Sequence, residues 1–506
     1  MAASTIVEGR TGPLEFDEAF ARYEAREREA LIPGLDAAIR AGTRDARLWH
    51  LHGLILRELE RYAEAIPSLR RAAQLAPSSV KIAHALARTS YEAGLPSVEL
   101  YGQTLRLSPG DPELIQGLVA ALSVEGRIGD AVAGLERSLS LTPHWVQGHK
   151  TLANIRWSEG ERKGFARSFD AALTAIPANV DLRRQQIIAL IHAEQWDEAL
   201  AAIAAGRAAL GDDPMFDANE AVIYSETGEA ERAQLIFERL ADLPDATVQL
   251  RHVRNLLRLG RAADASVQID AWLATPNAFQ FWPYASIAWR MTGDPRFEWL
   301  QGDPRMIGVY DIADRLPPLD ELADTLRRLH TTRGEYLDQS VRGGTQTLGN
   351  LFYRVDPIIA RVREAICATV AEHVAQLPSA DELHPLLAPP RDRPIRFAGA
   401  WSVRLSGGGY HANHVHPFGW ISSALYIVLP PGIGEGEAGF LTLGEPQAQL
   451  KLDLPPTRLI EPKPGRLALF PSWMWHGTRP FGAGERMTIA FDVALPSELP
   501  PAGALS

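Results

Sequence analysis

The residue pattern that decides the fold of the C-terminal region surrounds the segment Gly407-Gly-Gly-Tyr-His-Ala-Asn-His-Val-His-Pro417. Around it, apolar and polar residues alternate over short stretches. Clusters of glycine and proline separate these stretches, which is typical of β-strands joined by turns. Strands are predicted at Ala398–Leu405, Ile421–Leu429, Phe440–Leu443, Arg466–Phe470 and Met487–Leu495. Many short strands of this kind predict a β-sandwich or a jelly-roll barrel.

Two histidines of this segment, His414 and His416, are two residues apart. On an extended strand, residues i and i+2 point to the same face, so both imidazole rings can reach one point. By the same strand parity, His411 is expected to face away from His414. The spacing alone is weak evidence, because 14 histidines in 506 residues give about 0.4 such pairs per chain by chance.

A third histidine and an arginine support a site at this pair. His476 follows an apolar stretch, and Arg486 begins a predicted strand on which Arg486 and Thr488 share one face. A cation that faces the inside of a barrel requires an anion, since an unpaired buried charge is costly. A carboxylate bound by both arms of the guanidinium is the natural candidate. Two close ligands, a distal histidine and an arginine form the layout of a non-haem Fe(II) site with an anchored 2-oxo acid.

The C-terminal motifs occur in one order along the chain: His414-Val-His416-Pro417, Ser422-Ser-Ala-Leu-Tyr426, Gly465-Arg-Leu-Ala-Leu-Phe470-Pro-Ser472, His476 and Arg486. With these motifs, the segment from about Trp401 to Val493 resembles the Fe(II)/2-oxoglutarate-dependent oxygenases, and in particular a bacterial and phage branch of them with an H-x-H…H…R motif. The resemblance implies a double-stranded β-helix (jelly-roll) domain. It also implies an enzyme that uses Fe(II) and 2-oxoglutarate to hydroxylate a C–H bond.

The resemblance further implies a role for individual residues. His414 takes the position of the first metal ligand, and His476 that of the distal ligand. Arg486 takes the position that pairs with the distal carboxylate of 2-oxoglutarate, with Thr488 or Tyr410 assisting.

His416 occupies the position that most relatives fill with aspartate or glutamate. A site of three histidines carries one negative charge fewer than a site of two histidines and one carboxylate. Three possibilities stay open: His416 is a ligand, it lies behind a metal that has only two protein ligands, or the site has lost oxygenase activity. Structural zinc is not expected, because no cysteine lies nearby. A structural β-sandwich with hydrogen-bonded histidines is the remaining alternative.

The chain before the β region has an internal repeat. Prolines recur at Pro77, Pro109, Pro143, Pro177, Pro214, Pro244 and Pro276. Glycines recur at Gly94, Gly126, Gly160, Gly228, Gly260 and Gly293, and Gln195 stands at the one missing glycine position. Two series with the same period of about 34 residues indicate repeat units. Each unit predicts two short amphipathic helices that meet at the glycine and end before the proline.

One unit carries the fullest pattern, with Trp49, Gly53, Tyr62, Ala65, Ala72 and Pro77. The region from about Arg44 to Leu300 therefore resembles the tetratricopeptide repeat family. The resemblance implies an α-solenoid of about seven units, whose concave surface usually holds a peptide or protein. The alternative is a groove that holds nothing, or only the chain's own C-terminal domain.

A linker region with one unusual polar run separates the repeats from the β region. Helical spacing predicts helices at Leu319–Thr331 and Pro357–Leu377. Between them, residues 339–350 have the composition of a loop. Arg342 and Gln346 in this loop are candidates to orient a substrate, and a packing loop is the alternative.

The predicted architecture is an α + β multidomain chain with an N-terminal α-solenoid and a C-terminal jelly-roll domain. Its predicted parts are an N-terminal helical segment at 1–43, the solenoid at 44–300, a helical linker at 301–395 and the β domain at 396–506.

The composition excludes several classes of function. A formal net charge of −11 argues against a general binder of nucleic acid or anionic membrane. The single cysteine, Cys367, excludes an intramolecular disulfide framework and favours a reducing cytoplasm. Residues Met1 to Gly12 contain no apolar run of the length that a signal peptide needs, and no membrane span is expected.

The leading hypothesis is a 2-oxoglutarate-dependent hydroxylase that acts on the side chain of a peptide or protein brought by the repeats. One alternative is a non-catalytic repeat scaffold, or a binding protein that senses 2-oxoglutarate. Another is an oxygenase that acts on a small molecule. The sequence does not indicate the substrate, the hydroxylated position or the oligomeric state.

Overall fold

The computed structural model describes residues 14–337 and 339–496. The predicted absence of a leader falls on residues 1–12, which lie outside the described part, as do residues 497–506 of the predicted β domain. The described chain clusters into two compact units. One contains residues 14–134 and 352–360, and the other contains residues 135–351 and 361–496.

The helices of the repeat region follow one another as short antiparallel pairs, which gives the predicted tetratricopeptide-like solenoid. Their bounds are α1 Phe16–Glu24, α2 Arg28–Arg40, α3 Ala46–Glu58, α4 Tyr62–Leu75, α5 Val80–Glu92, α6 Val98–Leu107, α7 Pro112–Val124, α8 Ile128–Leu141, α9 Val146–Ser158, α10 Arg167–Ala175, α11 Val180–His192, α12 Trp196–Leu210, α13 Pro214–Thr227, α14 Ala230–Arg239, α15 Ala246–Arg258, α16 Ala262–Leu273, α17 Ala278–Thr292 and α18 Arg296–Gln301. In the described chain, α3 to α18 make eight pairs. No helix described here combines the length and apolarity that crossing a bilayer requires.

The turn inside each repeat unit contains a residue in the left-handed region. The six predicted turn glycines have φ between 69° and 100°, a conformation that glycine adopts without a steric cost. At the one turn without a glycine, the left-handed residue is Glu194, which has φ 55°. The prediction that Gln195 takes this position is therefore wrong by one residue. Glu194 lies two residues after the end of α11, as Gly94 does after α5. Because glutamate has a Cβ, the left-handed backbone conformation is strained at this position.

The first unit holds residues 352–360 against its own repeats. Tyr353 stacks on Tyr62, with ring centroids 4.8 Å apart. The Val355 amide donates to the Ala93 carbonyl at 3.0 Å. This segment includes the first turn of helix α20, Pro357–Gln376, and follows helix α19, Leu319–Arg327. Both helices begin at the predicted residue, α20 ends one residue before the predicted end, and α19 ends four residues before it.

The β region forms two antiparallel sheets, consistent with the jelly roll that the sequence predicts. The strands are β1 Gly308–Asp311, β2 Val341–Gln346, β3 Phe397–His411, β4 Gly419–Val428, β5 Leu441–Leu443, β6 Arg458–Ile460, β7 Arg466–Pro471, β8 His476–Thr478 and β9 Arg486–Ala494. One sheet has the order β1-β7-β4-β9-β3-β2, and the other has the order β6-β5-β8. On β9, Met487, Ile489 and Phe491 are fully buried, as expected for one face of a strand that packs in a core.

Two strands lie outside the predicted β domain. β1 pairs with β7 and β2 pairs with β3, so the sheet begins before residue 396. The prediction of a loop at 339–350 is therefore wrong for residues 341–346. β2 is an edge strand, and Gly343, with φ 71°, lies at a register shift. Edge strands tolerate polar side chains, and glycine marks bulges, so composition alone does not reveal such a strand.

The last repeats and the β domain share one hydrophobic core inside the second unit. Its helical side includes Val253, Phe281 and Trp289, and its β side includes Phe470 and Trp475. The Trp475 indole donates to the Pro283 carbonyl at 2.9 Å. Helices α15 and α17 therefore cover one side of the hydrophobic core of the β domain.

A segment of the β domain also lies against the first helices of these repeats. Arg254 donates to the side-chain oxygen of Gln447 at 3.2 Å, and Arg258 donates to the Gln449 carbonyl at 2.8 Å. Arg290 of α17 donates to the Gly444 carbonyl at 3.1 Å. At these units, the array holds part of its own chain.

Candidate active site

A cavity of about 480 Å³ lies in the β domain. It is lined by seven residues that the sequence singles out: His414, His416, His476, Arg486, Thr488, Arg342 and Gln346. Tyr410 is 37% exposed and lies outside the described lining. The structure thus brings together all the predicted site residues except Tyr410.

Backbone pairing brings the three histidines to one point. His414 and His476 exchange two backbone hydrogen bonds of 2.9 and 3.0 Å, and the His416 amide donates to the Ser472 carbonyl at 2.9 Å. On this extended pair, alternate side chains share a face. One ring nitrogen of each histidine lies within 4.8 Å of those of the other two. This spacing suits three ligands of one metal ion.

Each of the three rings has an oxygen partner at Nδ1. The partners are the Ala412 carbonyl for His414 at 2.8 Å, both Asp492 carboxylate oxygens for His416 at 2.7 Å, and the Met474 carbonyl for His476 at 2.9 Å. A carbonyl or carboxylate oxygen only accepts, so each Nδ1 carries the proton. Each Nε2 then keeps its lone pair, as in a histidine prepared to bind a metal.

Burial keeps the rings of His414 and His476 in the form that binds metal. Burial lowers the pKa of His414 and of His476 well below the usual value, and the neighbouring histidines lower it further. Neutral imidazole is the ligand form, and it suits iron as well as zinc, copper and nickel. The donor set therefore fits a divalent transition metal.

His411 lies at the cavity, so the expectation that it faces away is wrong. β3 ends at His411, and the regular alternation of a strand does not continue through the next residues. His411 Nδ1 and His414 Nε2 each lie 3.2 Å from the Ser340 hydroxyl. Burial, followed by the nearby Arg486 cation, lowers the pKa of His411 to about 3. His411 is thus a neutral ring beside the candidate ligands.

Arg486 is a buried cation with open donors. It is 2% exposed, and its Nε and Nη1 have no hydrogen-bond partner among the described residues. Its Cζ lies 5.2 Å from the centroid of the Tyr426 ring, and the Tyr426 hydroxyl interacts electrostatically with this guanidinium. Burial lowers the pKa of Arg486, yet a guanidinium stays charged in proteins. These donors fit a carboxylate, as 2-oxoglutarate would supply.

The sequence analysis gives no role to Asp492, Tyr426 or Ser340, although Tyr426 ends one of the quoted motifs. Asp492 shares strand parity with Arg486 and Thr488 on β9, so alternation could have placed it at the cavity. Tyr426 is paired with Thr488 in the register of β4 and β9, a relation that no local pattern shows. Ser340 comes from a segment remote in sequence, and its position follows only from the pairing of β2 with β3.

The fold and the site define a repeat protein whose antiparallel β domain carries three clustered histidines, which could hold a metal ion, beside a buried arginine. Residues 399–492 match the sequence profile of the family described as "Putative 2OG-Fe(II) oxygenase". Residues 46–79 match the profile of the tetratricopeptide repeat. The resemblance to a repeat array followed by a domain of this oxygenase family is thereby confirmed.

Other similarities concern the repeats. The chain is 31% identical over 87 residues to tetratricopeptide repeat protein 33 of Xenopus laevis, which covers 17% of this chain and 34% of that protein. This chain thus spans about a third of that relative's length. A tetratricopeptide repeat protein of Parabacteroides merdae ATCC 43184 covers 47% of this chain and 95% of its own, with 16% identity and a TM-score of 0.31. The MamA protein covers 31% and 88%, with 14% identity and a TM-score of 0.29.

Proposed function

We propose that the protein is an Fe(II)/2-oxoglutarate-dependent oxygenase that hydroxylates a C–H bond in a peptide or protein side chain. The observation that carries the proposal is the meeting of three histidines, each held at Nδ1, with a buried arginine that has open donors. Bound Fe(II) with 2-oxoglutarate and O2 supplies C–H hydroxylation, with succinate and CO2 as by-products.

The residues of the cavity then have separate roles. His414, His416 and His476 hold the metal through Nε2. Arg486 binds the distal carboxylate of 2-oxoglutarate through its guanidinium, and Tyr426, whose ring centroid lies 5.2 Å from the Arg486 Cζ, assists in place of the exposed Tyr410. The Thr488 hydroxyl is a further donor at the cavity wall.

The remaining wall supports a polar substrate with both donors and acceptors. Gln346 and Arg342 on β2, with Gln447 and Gln449 on the segment held by α15, line the same cavity. A few polar groups around a pocket fix the orientation of a ligand. Amide groups match the peptide bond and amide side chains, so a peptide fits this wall.

The contacts of α15 and α17 favour a second candidate function. Because these repeats support the β domain itself, the array is in part a structural element. An oxygenase acting on a small polar molecule uses the same cavity and needs no recruited protein.

The proposal is tested by the release of succinate from 2-oxoglutarate. The full chain with Fe(II) and O2 is expected to form succinate, and added peptides are expected to stimulate it more than sugars or amino acids do. The Arg486→Ala variant is expected to lose the activity, whereas Arg404→Ala, which removes a half-exposed arginine of β3, is expected to keep it. Wild-type protein that binds 2-oxoglutarate but forms no succinate would instead indicate a sensing protein.

A further inference from the structure

Asp492 is the one carboxylate among the described residues that line the cavity. It is 9% exposed, and both of its oxygens lie 2.7 Å from His416 Nδ1. His416 is the residue that stands where an acidic ligand is expected. The carboxylate that is expected as a metal ligand is therefore present, but it lies behind the His416 ring rather than in its place.

Hydroxyl groups fix the position of this carboxylate. Ser422 Oγ lies 2.5 Å from Asp492 Oδ1 and 3.0 Å from Ser472 Oγ. Ser472 also accepts the backbone hydrogen bond of His416. Gly419 leaves the room for this contact, because a Cβ there would lie 2.6 Å from Ser472 Oγ and 3.2 Å from Asp492 Cβ. Both partners of the His416–Asp492 pair are therefore held by the same small network.

We propose that Asp492 is a positioning residue that supplies, through His416, the negative charge of an acidic metal ligand. The inference rests on the proposed function, because it requires that the three histidines bind a divalent metal. A carboxylate on the outer nitrogen of a histidine fixes the ring and makes the other nitrogen a stronger ligand. It also balances a centre that otherwise holds neutral imidazoles and the Arg486 cation.

A purely structural role for Asp492 is the competing explanation. In that case the carboxylate only ties β9 to β4 through Ser422, and its loss weakens the fold regardless of what stands at residue 416. The two explanations differ in how residues 416 and 492 depend on each other.

The first test is the affinity of the metal-free full chain for Co(II), measured by absorption and by competition with a chelator. Asp492→Asn keeps the shape and removes the charge, and is expected to weaken binding by about ten- to a hundredfold. Asp311→Asn is the matched control. This exposed carboxylate pairs with Arg466 at 2.7 Å, outside the cavity lining, so binding is expected to stay unchanged. Circular dichroism checks that each variant is folded.

The second test uses a background in which Asp492→Asn is expected to change the Co(II) affinity in the opposite direction. In the His416→Asp variant two carboxylates would adjoin, and like charges at this distance disfavour each other's ionised form. There, adding Asp492→Asn is expected to strengthen Co(II) binding, although the same change weakens it in the wild type. In the His416→Ala background it is expected to have no effect. An Asp492→Asn change that leaves wild-type affinity intact, or weakens binding in all three backgrounds, overturns the inference. Wild-type protein that binds no Co(II) overturns the proposed function itself.

Discussion

At the residue scale, His476 is the proposed ligand whose removal has the clearest expected result. Its Nδ1 is held by the Met474 carbonyl, so replacing the ring removes a ligand that is already oriented. His476→Ala is expected to weaken Fe(II) binding by at least about a hundredfold, since one of three protein ligands is lost. His144, an exposed histidine, gives the control His144→Ala. Equal affinities for the two variants would contradict the assignment.

Arg486 provides a second prediction at this scale. Arg486→Lys keeps the positive charge but loses the fork that binds a carboxylate by two hydrogen bonds. The affinity for 2-oxoglutarate, measured by calorimetry with Co(II) present, is expected to fall roughly ten- to a hundredfold, as for a lost charged hydrogen bond. Metal affinity is expected to change little. A lysine variant with wild-type affinity would place the co-substrate elsewhere.

The proposed metal ligands and Arg486 could be singled out from the sequence because their signals are local. His414 and His416 share a face by alternation, and Arg486 is a charge where a strand requires apolar residues. Asp492 acts through another residue, and its partner lies 76 positions away. No sequence spacing predicts a contact between Asp492 and His416, so only the folded chain shows this pair.

At the element scale, four strands were predicted to within two residues of their observed ends, and β3 extends six residues beyond its predicted end at Leu405. The edge strands β1, β2, β6 and β8 were not predicted. The alternation of apolar and polar residues reflects the burial of one face of a strand, and an edge strand can lack this alternation. β2 is nevertheless important to the site, since it carries Arg342 and Gln346 to the cavity.

The segment with Gln447 and Gln449 gives the prediction for this scale. Arg254 is 6% exposed and binds Gln447, so Arg254→Ala is expected to loosen this wall of the cavity. Amide hydrogen exchange of residues 444–451 is expected to become faster, while β9 keeps its protection. Arg261→Ala, which removes an exposed ion pair with Asp264, is the control. Unchanged exchange in Arg254→Ala would show that α15 does not hold the wall.

For the whole molecule, buried histidines predict an acid sensitivity of the metal-free protein. Burial lowers the pKa of His252 and of His373 from 6.5 to about 4. Between these values the unfolded chain binds protons that the folded chain does not, so stability falls as the pH falls from about 6.5 towards 4. Urea unfolding at pH 7.5 and 5.5 measures the loss. His373→Gln is expected to reduce this pH dependence, and an unchanged dependence would contradict the assignment.

At the same scale, the repeat period predicted the helices and turns to within a few residues. It did not predict that α15 and α17 share a core with the β domain. Each unit's apolar face must be covered, but the period does not say whether a neighbouring unit or another domain covers it. Trp289 of α17, which is buried in this shared core, lies where the β domain takes over the covering.

The central claim is that three histidines and Arg486 hold Fe(II) and 2-oxoglutarate together. The most direct measurement is visible absorption during an anaerobic titration of the full chain with both. The account predicts a metal-to-ligand band in the wild type that requires both additions and is absent in His476→Ala and in Arg486→Ala. No band in the wild type, or an undiminished band in His476→Ala, would contradict it.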